Sequence, residues 1–507
     1  MKNIHKKAFY ILILLTLLVG CTKNFDEINT NPNNPESVAT GFIFTNVEKT
    51  IMDNLRDEWA GGRMLFLLPQ YWAQINYTDE DRYAFRTTVT DAWWRFMYTS
   101  AMNLETIIKL NTDEATKIDA LASGANENQI AAAKILKVYI FSILTDCFGD
   151  VPYSEAFLAQ NDRQPAYDPQ SVIYPDLLAE LQEATGMISD GPGILFGDII
   201  YGGDMVKWKK FGNSLSIRIA QRMAGRDGGA ALASIIDAVG NGGFLASNDD
   251  NAKFTYLGTG DNGPLYDAWF TEARNDFTLA KPFVQILKGE NDDLNGKINP
   301  FEGLADPRLP IFAGVGGDIL GMPYGMTDAE AKAFAPNCPS FVDNPPSMLD
   351  ATAGYTFMDY AEVCFILSEY YGWDQTWYEN GVRASMEDWG VAAADIDAFV
   401  GAMPAASEAT VLTQKYVALY LQGEQGWFEY RRSGYPKMLL IPGEQTHTAA
   451  DGSPIYFEPL DGNGTAIPRR LPFCVEEYNI NGDAVAAAVT AMGGVDDLDV
   501  RVWWDNQ

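Results

Sequence analysis

Ala131-Ala132-Ala133-Lys134-Ile135-Leu136-Lys137-Val138-Tyr139-Ile140-Phe141-Ser142-Ile143-Leu144 repeats apolar residues at intervals of three and four, and the pattern stops at Phe148-Gly149-Asp150-Val151-Pro152. The interval is that of a helix, so the run predicts a buried helix halted by glycine and proline. The same periodicity covers roughly residues 38–56, 91–111, 171–186, 204–224, 277–288, 359–371, 375–389, 411–422 and 483–491, and no long strand-like alternation competes with it. Between them lie Gly/Asn/Asp/Pro-rich connections at 186–203, 241–276, 289–356 and 434–482. Small residues meet aromatics at one-turn spacing, which suggests helix-turn-helix units stacked like tetratricopeptide repeats, without a strict period of about 34 residues. The expected fold class is therefore all-α: a tetratricopeptide-like helical scaffold with long irregular loops, which are the usual carriers of function.

The chain has 507 residues and a formal charge of −32. Such a surface repels phosphate, which excludes a nucleic-acid binder. With 47% hydrophobic and 21% charged residues it buries enough apolar surface to fold. Only two histidines occur, His5 and His447, so a multi-histidine zinc site is excluded and a Ser-His-Asp triad would rest on His447 alone. His447 sits in a polar Gly/Thr-rich stretch and is expected in a solvated loop.

Residues 1–20 read as a signal peptide: Lys2, Lys6 and Lys7 precede an apolar run from Ala8 to Val19, too short for a resident membrane helix. The run ends in Leu18-Val19-Gly20-Cys21, the form of a bacterial lipobox with Cys21 as the acylated residue. Each buried methylene adds about 0.8 kcal/mol, so several acyl chains hold a protein on a membrane it does not span. The expected division is signal peptide 1–20, lipidated tether 21–37 and binding domain 38–507. Cys147, Cys338, Cys364 and Cys474 show no metal-ligand spacing and are expected as free thiols.

Several segments recur in one order: Asn24-Phe25-Asp26-Glu27-Ile28-Asn29-Thr30-Asn31-Pro32-Asn33, Leu144-Thr145-Asp146-Cys147-Phe148-Gly149-Asp150-Val151-Pro152-Tyr153, Trp208-Lys209-Lys210-Phe211-Gly212-Asn213-Ser214-Leu215-Ser216-Ile217-Arg218 and Asp306-Pro307-Arg308-Leu309. Tyr360-Ala361-Glu362-Val363-Cys364-Phe365-Ile366-Leu367-Ser368-Glu369, Trp427-Phe428-Glu429-Tyr430-Arg431-Arg432-Ser433-Gly434-Tyr435-Pro436 and Ile467-Pro468-Arg469-Arg470-Leu471 follow. Behind a lipobox, this series resembles the SusD/RagB family of Bacteroidetes surface lipoproteins. Ser368 and Ser433 depart from the usual alanine and threonine. The resemblance implies a non-enzymatic protein, lipid-anchored at the cell surface on the outer membrane, that binds an oligosaccharide or a peptide and delivers it to a SusC-like TonB-dependent transporter. Read from the residues alone, Arg431, Arg432, Arg469 and Arg470 are structural, satisfying carbonyls at helix ends and pairing with carboxylates such as Glu362 or Glu369. Asp150 is expected to order its turn.

Aromatic residues make up 12% of the chain, and flat rings suit sugar CH faces while Asn, Asp and Arg bond hydroxyls. The stretch Gln70 to Phe85 interleaves rings with polar residues, which makes Trp72, Asn76, Tyr77, Arg82 and Tyr83 the candidate ligand residues; the alternative for Trp72 is the inward face of a helix ending near Asn76. In SusD-like glycan binders the corresponding N-terminal stretch contributes to the ligand arc. Trp269, in the loop Tyr266-Asp267-Ala268-Trp269-Phe270, is expected to face it. Trp93, Trp94 and Tyr98 stand at core spacing. Asn291 to Glu302 fits a calcium loop at Asp293, Asn295, Gly296 and Glu302, although Asn291 holds the first position and Pro300 and Gly303 oppose an exiting helix. A surface glycoside hydrolase using two carboxylates and a helical scaffold binding only protein are the competing readings.

Overall fold

The computed structural model describes residues 38–158, 164–194, 196–462 and 464–506; the signal peptide, the tether and Cys21 lie outside the described residues. The buried run that opens the sequence is the middle of a helix. Counting the longer helices in chain order, α1 is Thr40–Leu55, α2 Thr87–Thr112, α3 Asn126–Phe148, α4 Gln170–Met187, α5 Met205–Asp227 and α6 Ala230–Val239. Each packs against the next, which is how stacked helical repeats bury their faces. Helix α3 is buried on almost every side because α2, α4 and α5 all lie against it. It ends where Gly149 takes φ 85°, open to glycine without strain, and a Cβ there would stand 3.1 Å from the Met492 sulfur.

After α7 (Lys281–Lys288), a second helical run follows: α8 (Tyr360–Tyr370), α9 (Gln375–Asp388), α10 (Ala393–Ala402), α11 (Glu408–Ala418) and α12 (Gly423–Ser433), with α13 (Gly482–Ala491) near the end. Helix α8 packs on α9 and α11 and reaches α5, joining the two runs. The described strands are short: β1 (Trp72–Gln74), β2 (Val151–Pro152), β3 (Tyr167–Asp168), β4 (Ala252–Thr255), β5 (Phe277–Leu279), β6 (Gly354–Met358), β7 (Gln445–Thr448) and β8 (Pro454–Tyr456). They form antiparallel ribbons β1–β5, β2–β3, β4–β6 and β7–β8. The helical class and the long loops are as the periodicity predicts.

Three departures have physical causes. The 277–288 pattern begins as strand β5 and turns helical only at Lys281, where Pro282 sits in the first turn, the one place a helix needs no N–H from it. The 411–422 pattern ends at Ala418, and Leu421 takes φ 67°. Helix α12 has no counterpart among the predicted helical patterns, and it carries Gly423 and Gly426. Both serve close approach: a Cβ on Gly423 would stand 2.3 Å from the Leu65 carbonyl oxygen, and one on Gly426 2.5 Å from the Tyr71 hydroxyl.

Charged groups in the core are paired. The Asp146 carboxylate accepts from Tyr174, from Trp504 Nε1 and from Arg222, while its backbone carbonyl accepts from Arg431 at 2.7 Å. Arg56 forks onto Glu424 at 2.8 and 2.9 Å, Arg218 pairs with Glu362, and Arg308 with Asp306. Arg432 pairs with Glu369, Arg431 bonds the Arg469 carbonyl and Arg470 the Phe148 carbonyl, so these arginines are structural as expected; Glu362, however, takes Arg218 as its partner. Asp150 accepts from the Gln170 N–H at 2.9 Å and so orders the start of α4. The four cysteines are free, and Trp93, Trp94 and Tyr98 pack against the core.

Asp146→Ala leaves Arg222 buried without its counter-charge, so it should destabilise the protein by about 3–5 kcal/mol. Denaturant unfolding checks this, and a loss below about 1 kcal/mol removes Asp146 from its central place.

Candidate functional site

The site begins where α1 ends. Arg56, buried at 0% exposure, fixes the chain through Glu424 on α12, and the following residues Glu58–Leu65 wind as a π-helical segment. Asp57 caps it, its side chain accepting from the Gly61 N–H at 3.0 Å. Gly61 permits the tight entry, since a Cβ there would meet the Leu55 carbonyl oxygen at 2.9 Å. π-Helical turns are rare and recur at functional sites. This one places Trp59 and Arg63 together, with the Arg63 guanidinium 5.4 Å from the Trp59 ring centre.

Arg63 gathers the rest of the site. It pairs with Asp276 and reaches Glu80 at 3.5 Å, and it lies 6.0 Å from the Tyr77 ring and 5.5 Å from Phe277. Asn76 donates to Asp276 at 3.3 Å, and its Oδ1 is buried without a hydrogen-bond partner among the described residues. Tyr77 has φ 57°, held by its N–H donating to Asp328 at 2.7 Å, and its side chain is 50% exposed. Lys332 stands 5.6 Å from that ring and bonds Asp328, whose carboxyl it holds below the usual range. From the loop 262–275, Arg274 approaches Trp59 at 5.4 Å, while Tyr266 and Phe270 pair at 5.1 Å with Phe270 40% exposed. The result is a set of rings, Tyr77 and Phe270 facing solvent and Trp59 and Tyr266 half-buried, with amide, guanidinium and ammonium groups among them.

The candidates from the sequence divide. Asn76 and Tyr77 lie in this patch. Trp72 is fully buried on β1 rather than on a helix: its ring packs edge-on to Phe66 and Trp269, at 4.6 and 5.6 Å, and its Nε1 donates to the Tyr420 hydroxyl at 3.0 Å. Trp269 is 2% exposed against Trp72, Phe277 and Phe341, so the two loops do meet, but beneath the surface. Tyr83, with φ 69°, is buried against Phe457 at 5.3 Å, and Arg82 donates to the Glu458 carbonyl at 3.0 Å; both belong to a seam with the 457–460 segment. Trp59, Arg63, Arg274 and Lys332 were not anticipated, and Phe270 only as part of the loop that carries Trp269. A local signal for the first two was Trp59-Ala60-Gly61-Gly62-Arg63 directly after a helical pattern.

At the calcium loop, Glu302 accepts from Asn291 Nδ2 at 2.8 Å, and Asn295 donates to Asp292 at 2.7 Å while its Oδ1 accepts from the Gln445 N–H at 3.0 Å. Asp293 points to solvent at a tight turn in which Asp292 pairs with Lys297. Asp293 and Glu302 line one shallow cavity with Asn291 and Asp292, which Asn295 does not line, and among the described residues no group of three or more His, Cys, Asp or Glu side chains is placed to hold a metal. His447 is on strand β7, half-buried edge-on to Phe334 at 4.9 Å, not in a solvated loop.

A family profile described as "Starch-binding associating with outer membrane" matches residues 32–457. The chain belongs to this SusD-like family. Solved structures agree in fold. A SusD homolog from Parabacteroides distasonis superposes with a TM-score of 0.74 at 21% identity, covering 92% of this chain and 98% of its own. A chitin-binding protein gives 0.72 at 24% identity, covering 92% and 100%, and a chitin-binding SusD homolog from Flavobacterium johnsoniae 0.70 at 21%, covering 92% and 99%. No curated protein matches. Within this SusD-like frame the profile ends at the residue that seals the Tyr83 seam, Phe457, so the Ile467-Pro468-Arg469-Arg470 turn lies beyond it.

At the base of the patch, burial and then the neighbouring Glu272 carboxyl push Glu58 from 4.5 up to about 7, against the pull of Arg274. The folded state thus keeps a proton that the unfolded chain has lost. This contribution to stability is complete below about pH 4.5 and disappears as pH rises through about 7. Glu58→Gln should raise the thermal midpoint relative to the parent near pH 8 and leave it little changed near pH 5, as followed by circular dichroism. Equal effects at both values would place the proton elsewhere.

Proposed function

We propose that this protein is a surface lipoprotein that captures a neutral glycan and passes it to a SusC-like TonB-dependent outer-membrane transporter. Residues 1–20 would be removed, Cys21 acylated, and 21–37 would tether the binding body 38–507. The observation that carries the reading is the set of exposed Tyr77 and Phe270 with half-buried Trp59 and Tyr266, beside Asn76 and Arg274. Rings of this kind take the CH face of a sugar, and the amide and guanidinium groups take its hydroxyls. The family description and the chitin-binding relatives support a glycan over a peptide. Asp276, tied to Arg63 and Asn76, serves as an acceptor in the network beneath the rings. No helix among the described residues is long and apolar enough to cross a membrane.

Tyr77→Ala and Trp59→Ala should each weaken binding of maltooligosaccharides or chitooligosaccharides by about tenfold, the loss of one stacking partner and its burial. Isothermal titration with both series measures this; unchanged affinity for every oligosaccharide bound would move the ligand off the patch. A peptide that binds and is lost in the same variants would assign the patch to a peptide instead. In cells, deletion of residues 21–37 should abolish glycan uptake as completely as loss of the transporter.

A further inference from the structure

A second concavity shares no residue with the patch. It lies between the β4–β6 ribbon, the end of α9 and the short link from α11 to α12, and encloses about 330 Å³, near the lower limit of roughly 300 Å³ for small-molecule pockets. Its lining combines features that packing alone does not require. Gln422 is 3% exposed; its Nε2 donates to Asp359 at 2.9 Å, and its Oε1 is left buried with no hydrogen-bond partner among the described residues. A buried acceptor without a donor is costly unless something supplies one. Leu421, immediately before it, is held at φ 67°, a conformation a leucine rarely adopts and one that recurs beside ligand clamps.

The remaining walls define the chemistry. Trp389, half-buried, has its plane set by Phe312 at 4.7 Å and Tyr420 at 5.7 Å, and offers a ring to the cleft. At the rim Lys253 holds both Asp388 oxygens, at 2.5 and 2.6 Å, and Asp359 adds a carboxyl to the wall. Gly354 leaves the β6 wall without a side chain. An occupant lays an apolar face on the indole and donates to Gln422 once that side chain turns its Oε1 toward the cleft; carboxylates and phosphates bring no donor and meet the Asp388 and Asp359 carboxyls.

We propose that this cleft is a second ligand site, sized for a single neutral sugar ring or similar polyol rather than for an extended chain. It would read a chain end or a released monosaccharide, independently of the aromatic patch.

Glucose and N-acetylglucosamine are the probes, followed by saturation-transfer NMR and titration calorimetry at millimolar concentration. At least one should bind the parent protein. Gln422→Leu should weaken that binding by about tenfold, the usual worth of one hydrogen bond to a neutral partner. Ser347→Trp, at an exposed position on the rim, should abolish it while oligosaccharide binding at the patch is unchanged. If Gln422→Leu does not fold, Ser347→Trp alone decides. No binding of either probe, meaning a cleft filled by water only, overturns the proposal. So does monosaccharide binding that survives Ser347→Trp, or that disappears in Tyr77→Ala. Because these readouts concern monosaccharides, they stand apart from the fate of the patch with oligosaccharides.

Discussion

One buried carboxylate, that of Asp146, holds the helical stack in register. Hydrophobic faces of stacked helices attract without specifying how far one slides along another. Asp146, at the end of α3, receives Tyr174 from α4, Arg222 from α5 and Trp504 from the C-terminal segment, while its carbonyl receives Arg431 from α12. Partners so far apart in the chain meet at one residue only in a single arrangement. A buried ion is costly to desolvate, and satisfying nearly every lone pair is what makes such a hub tolerable. Arg56–Glu424, Arg218–Glu362 and Arg308–Asp306 repeat the device elsewhere in the core.

This use of arginine shapes the outer surface. In a chain with 68 acidic and 36 basic side chains, Arg56, Arg63, Arg218, Arg222, Arg308, Arg431 and Arg470 are buried together with acidic side chains, and the exterior keeps a large acidic excess. Long-range repulsion then disfavours anionic ligands, and a neutral glycan escapes it. The same frame positions the proposed ligand patch. Arg56 locks the exit of α1 to α12, and the π-helical segment that follows sets half-buried Trp59 beside Arg63, whose pairing with Asp276 draws in a loop more than two hundred residues away.

The frame was legible in the sequence because helical period is local and because its polar anchors fall inside recurrent segments: Asp146, Arg218, Arg308, Glu362 and Arg431 all lie in the series quoted at the outset. What escaped was set by contact across the chain. Nothing near Arg63 announces Asp276, and nothing near Trp59 announces Arg274. Helix α12 is absent from the periodic patterns, and the reason for its Gly423 and Gly426, the closeness of Leu65 and Tyr71, is tertiary. Spacing within the calcium loop is equally silent on such contacts: Asn291 donates to Glu302, and Asn295 Oδ1 accepts from the Gln445 N–H, 150 residues away.

Aromatic content explains why the ligand residues were only half found. A high share of rings points to sugar binding only if the rings are exposed, and here most of them build the core: Trp72, Tyr83 and Trp269 face Phe66, Phe457 and Phe341. The hydrophobic effect takes a large ring inward unless the backbone prevents it. At Tyr77 the backbone does so, since φ 57° is fixed by the Asp328 carboxylate and leaves the side chain half in solvent. The buried rings still matter, because they make the surface ones rigid. Trp72 packs on Trp269 under the patch and bonds Tyr420, two residues before Gln422 in the cleft, so a single aromatic layer fixes both surfaces at once. Preorganisation of this kind reduces the entropy lost when a flexible sugar is captured. The interior therefore contributes to affinity at positions that no ligand touches.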